Sequence, residues 1–483
     1  MKVLKLSLAF TMTFILVNAN AQNVDADLLK KHVYTLASDS LQGRGFGTYG
    51  GRMAKDYVIA QFVNAGIEPW EGTYAHPFIH QGMMLKTEGT NIIGWVEGSD
   101  SILKHEYILL GAHYDHLAYI FKHDSMVVYN GADDNASGTA SIIEIGRWLV
   151  QHRSELKRSV IIVAFDGEEA GLIGSTYIVN NNVLPLQKIK VMFSLDMVGM
   201  LKKYEGIDLV GDGTITDGKQ FFDEIAKAHG IDVKKQGRSV EQQTDTAPFG
   251  SKGIPSIHVF TSTVSPYHRP QDDANLIDYN GMAIIADFVA DATLNLSQRP
   301  EIVPDRKFLV QAKGKVINWG AIAGVGCSMD DYSDEFYNSK DHFTASVGLY
   351  ARLKISSKLS LTPEVLYHTH GSDHQYGNLR THEITIPVNV EFTLSRQANS
   401  MLNPSFFIFG GGYYSYRFSG KVGSNSMDFE DSFRREDYGY QFGLGFDVWK
   451  FRFKLSTYKS VQSLNRTQNI YPMGSLFSIG VLF

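Results

Sequence analysis

Histidines and carboxylates cluster at five places in this sequence of 483 residues. In chain order the groups are His113 with Asp115, Asp133 with Asp134, Glu168 with Glu169, Asp196, and His268 with Asp272. Imidazole nitrogens and carboxylate oxygens without a thiolate are the ligands that zinc takes, and also cobalt or manganese. The sequence therefore predicts a metal site if the fold brings these groups together.

Several of the groups directly follow apolar runs that are typical of buried strands. The runs EYILLGA, SVIIVAF and IKVMFSL end immediately before His113, Asp166 and Asp196. Short apolar strands alternate with helical segments over residues 22–298, which predicts a mostly parallel α/β sheet flanked by helices. Sites in such sheets lie beyond the carboxyl ends of the strands. Unpaired carboxylates are costly to bury there, and cations remove that cost.

A glycine-rich stretch, LQGRGFGTYGG at residues 41–51, precedes a helical segment at 52–65. Such a loop can cradle a phosphate at a helix N-terminus. However, no strand precedes the loop and no Gly-Lys-Ser/Thr follows it, which argues against a nucleotide site. The sequence instead predicts a loop that packs beside the metal site.

The pattern changes after residue 298. Residues 299–312 hold two prolines and mixed charges and are predicted to be a linker. Residues 313–483 then alternate apolar and polar residues in eight segments, which predicts an all-β, eight-stranded antiparallel barrel. The segments lie near 316–327, 343–355, 358–368, 384–394, 405–418, 438–448, 451–460 and 475–483.

The alternation of apolar and polar residues is also compatible with a soluble β-sandwich or a lipocalin-like barrel. The lengths of the connections between segments favour a membrane barrel. Long polar connections follow the first, third, fifth and seventh segments, and shorter ones follow the second, sixth and, less clearly, the fourth. This asymmetry is typical of the outer membrane. Because an eight-stranded barrel is filled by its own side chains, we expect an anchor in outer-membrane lipid rather than a pore.

Residues 1–21 are predicted to be a cleaved signal peptide, with a basic start, an apolar stretch and an Ala-Asn-Ala cleavage site. The single cysteine, Cys327, excludes an intrachain disulfide. A net charge of −6 gives no support to a nucleic-acid partner.

An even strand number puts both barrel ends on the short-turn side, so the N-terminal domain is expected in the periplasm of the cell envelope.

The motifs GAHYDHLA, GADDNASG, AFDGEEAGLIGS, SLDMVG and PYHRPQDD resemble, in order and spacing, those of peptidase family M28, the co-catalytic zinc aminopeptidases. The C-terminal region is similar to PorT-like outer-membrane barrels. The M28 resemblance implies a zinc-exopeptidase-like fold over 22–298 and two zinc ions acting on peptide substrates. It implies His113 and Asp196 as ligands of one zinc, Glu169 and His268 as ligands of the other, and Asp134 as the bridge.

The same resemblance implies Glu168 as the general base and Asp115, Asp133 and Asp272 as residues that support the ligands. By resemblance to related enzymes, Tyr267 is expected to hydrogen-bond the developing oxyanion, and simple packing of its loop is the alternative. A family segment that lines the substrate pocket is matched by Thr244–Phe249, which makes Asp245 and Phe249 candidate pocket residues, although Thr246 replaces the family's histidine. His116 and His123 match no ligand position and are predicted to be loop histidines.

The leading interpretation is a zinc aminopeptidase tethered to the outer membrane by its barrel. One alternative is a single-zinc enzyme of the glutaminyl-cyclase type, with which AFDGEEA is also compatible; the intact GADDNASG favours two metals. The other is an outer-membrane structural protein with a non-catalytic head. The complete ligand set argues against the latter because unused buried carboxylates cost stability.

Overall fold

The computed structural model describes residues 24–82, 85–312, 317–332, 339–356, 358–374, 377–396 and 404–483. The chain divides into two compact units between residues 313 and 314. The predicted signal peptide, 1–21, lies outside the described residues. Among the helices that are described, none combines the length and the apolar character needed to cross a bilayer.

The N-terminal unit is built on one mixed sheet and a separate two-stranded hairpin. The strands are β1 (Glu68–Pro69), β2 (Ala75–Gln81), β3 (Lys86–Val96), β4 (Tyr107–His113), β5 (Tyr119–Lys122), β6 (Ser125–Val128), β7 (Ser159–Phe165), β8 (Ile189–Leu195), β9 (Ile207–Val210), β10 (Val233–Gly237) and β11 (Ser256–Phe260). The sheet order is β1-β3-β7-β4-β8-β11-β9-β10, with β2 paired to β3, and β5 pairs only with β6.

The centre of this sheet is parallel, as the sequence predicts. Strands β7, β4, β8 and β11 run parallel to one another. Strand β3 pairs antiparallel with β7, and β9 pairs antiparallel with β11. The short apolar runs therefore form the buried middle, where both faces are covered. Their carboxyl ends come together at one edge, and the predicted ligands follow those ends.

Helices cover both faces of the sheet. They are α1 (Ala26–Leu36), α2 (Tyr49–Ala65), α3 (Gly138–Gln151), α4 (Ile173–Asn181), α5 (Leu201–Tyr204), α6 (Gly218–Ala228), α7 (Thr246–Gly250), α8 (Tyr279–Gln298) and α9 (Arg306–Ala312). Alternate residues of β7 belong to different cores: Val160 and Ile162 pack on the side of α1, α3 and α8, while Ile161 and Val163 pack on the side of α4 and α7. Because both faces of β7 are buried, every position of the strand is occupied by a buried side chain.

The segment 299–312, which the sequence predicts as a linker, lies largely against the N-terminal unit. Ile302 and Phe308 are buried. Asp305 accepts hydrogen bonds from the amides of Lys307 and Phe308 at 2.9 and 3.0 Å, which caps α9. The linker prediction is based on the prolines and charges of this segment, which do not indicate that Ile302 and Phe308 are buried.

The C-terminal unit is a closed antiparallel barrel of eight long strands, as predicted. The strands are β12 (Ile317–Tyr332), β13 (His342–Lys354), β14 (Leu359–His374), β15 (Gly377–Arg396), β16 (Ser405–Val422), β18 (Glu436–Val448), β19 (Phe451–Ser460) and β20 (Ile470–Leu482), with a two-residue strand β17 (Asn425–Ser426) beside β16. Pairing of β12 with β20 and of β15 with β16 closes the ring.

One predicted connection in the barrel is wrong. The sequence analysis places a long polar loop after the third strand, but β14 and β15 stay paired until His374 and Gly377. The two strands therefore project as a hairpin beyond the predicted span. Their polar outer portion lacks the apolar alternation on which the strand prediction depends, although backbone pairing continues through it.

The two faces of the barrel wall have opposite chemical character. Apolar side chains such as Leu349, Phe442 and Ile479 are exposed on the outside, a belt suited to lipid. Buried charges are paired, including Arg452 Nη1 with Glu391 at 2.7 Å and Arg417 with Asp437 at 2.9 Å. Paired charges of this kind share the described interior with buried aromatic rings such as Tyr350 and Phe407, which lie beside Arg452.

Candidate metal centre

The first group of ligand atoms gathers at the ends of β4 and β8. His113, the last residue of β4, directs its Nε2 towards Asp134 Oδ1 and Asp196 Oδ1, each at 3.4 Å. Asp196 directly follows β8, and Asp134 lies in the turn Ala132–Ser137 that precedes α3. Three segments far apart in sequence therefore present one nitrogen and two oxygens to the same point.

The second group shares Asp134 with the first. His268 Nε2 lies 3.2 Å from Asp134 Oδ2 and 3.1 Å from Glu169 Oε2. Glu169 lies in the turn after β7, and His268 lies in the loop after β11. Because the two oxygens of Asp134 face different groups, this carboxylate is placed to bridge two cations.

Both groups fit a metal ion by distance and by unmet hydrogen-bonding capacity. Zinc bonds of about 2.0–2.1 Å in a tetrahedron set neighbouring ligand atoms about 3.3 Å apart, close to the separations seen in both groups. Asp134 Oδ2 and Asp196 Oδ1 are buried and accept no hydrogen bond from the described residues. A cation would satisfy these oxygens, so the side chains present suit zinc.

The ionisable groups of the centre strongly affect one another. The carboxylates of Asp134 and Glu169 raise the pKa of His268 to about 10, against the opposing effect of burial. Burial raises the pKa of Glu168 well above its usual range, and Asp245 and Asp196 add to that effect. A histidine must lose its proton to ligate a metal, so cation binding here releases protons.

Asp115 and Asp272 hold the backbone of the ligand-bearing turns. The Asp115 carboxylate accepts the amides of Glu168 and Glu169 at 3.0 and 3.3 Å. Its Oδ1 is 3.7 Å from His113 Nδ1, and the hydrogen-bond partner of that nitrogen is the Asp115 carbonyl at 3.2 Å. Asp115 thus contacts the His113 ring through its carbonyl and holds the Glu168–Glu169 turn through its carboxylate.

A similar arrangement surrounds the Asp133–Asp134 turn. Asp272 accepts the amides of Asp133 and Asp134, each at 3.1 Å. Asp133 Oδ1 accepts the amide of Gly199 at 2.8 Å, which ties the turn to the segment after β8. Asp133 and Asp272 thus contact backbone, and only Asp134 faces both ligand groups.

Glu168 and Tyr267 border the centre without joining either ligand group. Glu168 is half-buried, and its charge acts on His113 and Asp196. The Tyr267 ring stacks on His268 with 3.8 Å between ring centroids, and the side chain remains 43% exposed. An exposed phenol beside the ligands is available to an approaching substrate.

The two predicted pocket residues are both buried. Asp245 is 1% exposed, and burial raises its pKa to about 7. Phe249 packs in the core against Phe165, with ring centroids 6.1 Å apart. Phe249 therefore forms part of the wall behind the site, and Asp245 influences the charge of Glu168 from below the surface.

Arg44, in the glycine-rich loop, is a residue of the site region to which the sequence analysis assigns no role. Its side chain is fully buried and donates to four backbone carbonyls: Tyr114 at 2.8 Å, Leu36 at 2.7 Å, Asn130 at 2.6 Å and Gly131 at 2.9 Å. Burial lowers its pKa to about 10, which leaves it charged at neutral pH. The loop does pack beside the site, and Arg44 joins the segments that carry His113 and Asp134.

We expect Arg44→Met to lower the thermal unfolding midpoint of the N-terminal unit strongly. Three buried carbonyls and the half-buried carbonyl of Asn130 lose their donor, which costs about 3 kcal/mol or more if each is left even partly unsatisfied. Differential scanning calorimetry of the metal-free protein measures the shift. Arg52→Met, at an exposed position of α2, is the matched control and should change little. Equal midpoints for the two variants would contradict the role given to Arg44.

His116 lies in the loop between β4 and β5, but it is buried there. Its ring is fully buried, and its Nδ1 lies 2.7 Å from Glu169 Oε1. His123, by contrast, lies in the exposed turn between β5 and β6. The two histidines lie seven residues apart, but only His116 reaches the metal centre.

Comparison with known families agrees with this geometry. Residues 91–293 match the model of peptidase family M28, and residues 297–467 match that of an outer membrane protein beta-barrel domain. The chain joins an M28 peptidase domain to an outer-membrane-type β-barrel. These matches confirm both resemblances that the sequence analysis drew from motifs.

Relatives of the M28 domain include proteins with different names. The chain is 27% identical to aminopeptidase YwaD of Bacillus subtilis over 47% of this chain and 49% of that protein. It is 36% identical to a glutamate carboxypeptidase 2 homolog of Caenorhabditis elegans over 35% of this chain and 21% of that protein. The chain thus spans half or less of the length of these curated relatives.

Solved structures that align with part of this chain include LapA aminopeptidase of Legionella pneumophila, at 19% identity and a TM-score of 0.47 over 61% of this chain and 79% of that one. Glutaminyl cyclase of Porphyromonas gingivalis is 22% identical, with a TM-score of 0.46 over 56% of this chain and 98% of that one.

Proposed function

We propose that the chain is a zinc-dependent aminopeptidase that removes N-terminal residues from peptides. The observation that carries this proposal is the pair of ligand groups that share Asp134, with Glu168 left free beside them. Two zinc ions are proposed, one between His113, Asp134 and Asp196 and one between Asp134, Glu169 and His268. The match to M28 supports zinc and peptide substrates.

When bound, a zinc pair of this kind polarises the scissile carbonyl and lowers the pKa of the attacking water. Glu168 then takes the proton of that water and passes it to the leaving amine. Burial raises its pKa above the usual range, which favours the return of the accepted proton to the leaving group. Tyr267 donates its phenol proton in a hydrogen bond to the oxygen on which negative charge develops.

A substrate panel tests the proposed activity. We expect aminoacyl-coumarin substrates to be hydrolysed, with loss of activity on chelation and recovery on zinc addition. N-acetylated versions of the same substrates should be resistant because an aminopeptidase requires a free N-terminus. Hydrolysis of the acetylated set at equal rates, or formation of pyroglutamate from N-terminal glutamine with no release of coumarin, would contradict the proposal.

We further propose that the barrel tethers the M28 domain on the periplasmic side of the outer membrane. The first barrel strand begins at Ile317, which pairs with Leu353 beside the short connection to β14. The last strand ends beside the short β18–β19 turn, where the Leu482 amide donates to the Lys450 carbonyl at 2.8 Å. Short turns face the periplasm in barrels of this class, so both ends of the barrel should lie there.

Protease protection tests this orientation. Proteinase K added to intact cells should leave the M28 domain uncut because the outer membrane shields it. The same protease should digest the domain once the outer membrane is permeabilised, as detected with an antibody to the domain. Digestion in intact cells, alongside an undamaged periplasmic marker, would place the domain outside.

A further inference from the structure

His116 makes a hydrogen bond that the two-metal arrangement does not itself require. Because a carboxylate only accepts, the ring carries its proton on Nδ1 and donates to Glu169 Oε1 at 2.7 Å. The other oxygen of Glu169, Oε2, lies 3.1 Å from His268 Nε2, which in turn lies 3.2 Å from Asp134 Oδ2. The two oxygens of Glu169 therefore have separate tasks, one towards His116 and one towards the proposed metal.

The surroundings hold the His116 ring in place. The His116 amide donates to the Arg44 carbonyl at 3.2 Å. On the other side Gly131 leaves room for the ring, since a Cβ at that glycine would lie 2.5 Å from the nearest ring atom. Gly131 also has a φ of +57°, which few other residues adopt. The histidine thus occupies a slot built from the glycine-rich loop and the start of GADDNASG.

We propose that His116 is a positioning residue that fixes Glu169 as a one-oxygen ligand of the second metal. By engaging Oε1, it prevents the carboxylate from rotating and keeps Oε2 directed between Asp134 and His268. This proposal rests on the proposed two-metal function and adds a residue to it. Partners that orient a ligand in this way typically contribute 10- to 100-fold to metal affinity.

Direct ligation by His116 is the competing role. Its Nδ1 is 3.8 Å from Asp134 Oδ2, farther than His268 Nε2 at 3.2 Å, and 2.7 Å from Glu169 is a hydrogen-bond distance. Its Nε2 is buried with no hydrogen-bond partner among the described residues. His116 is thus close enough to Asp134 and Glu169 to share an ion with them, but its distances favour a hydrogen bond from Nδ1 to Glu169 over ligation.

The test compares four variants of the full-length chain in detergent, loaded with cobalt. His116→Leu removes the donor. His116→Asn places an amide nitrogen near the position of Nδ1, whereas His116→Gln reaches towards that of Nε2. His105→Leu, at an exposed residue beside the other end of β4, is the matched control. Chelator competition gives the two cobalt dissociation constants, and visible absorption reports the ligand set.

We expect His116→Leu and His116→Gln to weaken the second cobalt site about 10- to 100-fold while the first site stays unchanged. His116→Asn should recover most of that loss with a wild-type absorption spectrum, and His105→Leu should resemble wild type. Wild-type constants in the Leu variant would overturn the proposal. An Asn variant as weak as the Leu variant, with an altered spectrum, would instead show direct ligation.

If the Leu variant does not fold, the comparison of His116→Asn with His116→Gln still tests the proposal, because both variants keep a polar side chain. The second cobalt site should then be weaker in the Gln variant than in the Asn variant. Failure of the proposed function would look different: the wild-type chain itself would then bind fewer than two cobalt ions.

Discussion

Glu168→Gln should reduce kcat by about 10²- to 10⁴-fold while the chain keeps both zinc ions. The amide has the shape of the carboxylate but cannot take a proton from water. Because Glu168 belongs to neither of the two ligand groups that share Asp134, the bound metal should be unaffected. Steady-state hydrolysis of an aminoacyl-coumarin, with zinc content measured on the same sample, checks both parts.

Glu155→Gln, at an exposed position after α3, makes the same chemical change away from the centre and should leave kcat unchanged. If Glu168→Gln turns over at the wild-type rate, Glu168 is not the base. If it loses zinc as well as activity, the free carboxylate assigned to Glu168 is instead part of the metal site.

Asp134→Asn should have the largest effect on metal binding of any single substitution. Each oxygen of Asp134 faces a different ligand group, so one change removes a charged ligand from both sites. We expect zinc content to fall well below two per chain and activity to fall with it. Inductively coupled plasma mass spectrometry after gel filtration gives the content directly.

Asp133→Asn is the neighbouring control. Asp133 meets the Gly199 amide through Oδ1, and an asparagine oxygen can accept the same hydrogen bond. This variant should retain two zinc ions and most of the activity. The reverse result, with Asp133 essential and Asp134 replaceable, would exchange the roles of the two residues.

The strands that end at the site edge follow from local sequence, whereas their order in the sheet does not. Apolar runs such as SVIIVAF form strands buried on both faces, and the residue after each run must lie at a strand end. Period-two alternation likewise predicted the barrel, since each strand has one face towards lipid and one towards the interior. These signals are local, which explains why the pattern alone reveals them.

Arg44 and His116 were not predictable in the same way. Arg44 meets the Leu36, Tyr114, Asn130 and Gly131 carbonyls, three of them 70 residues or more away along the chain. His116 and His123 lie in one stretch, and only the fold separates a buried donor from an exposed turn residue. Contacts of this kind depend on how loops meet in three dimensions, on which a single sequence carries no direct signal.

The central claim is that two zinc ions and the ligands around Asp134 form one aminopeptidase site. Titration of metal-free full-length chain with zinc, while aminoacyl-coumarin hydrolysis is recorded, tests it most directly. We predict that activity approaches its maximum only as the second equivalent binds, and that Glu168→Gln binds the same two equivalents without activity. Full activity at one equivalent, or none at any zinc concentration across the substrate panel, would contradict the account.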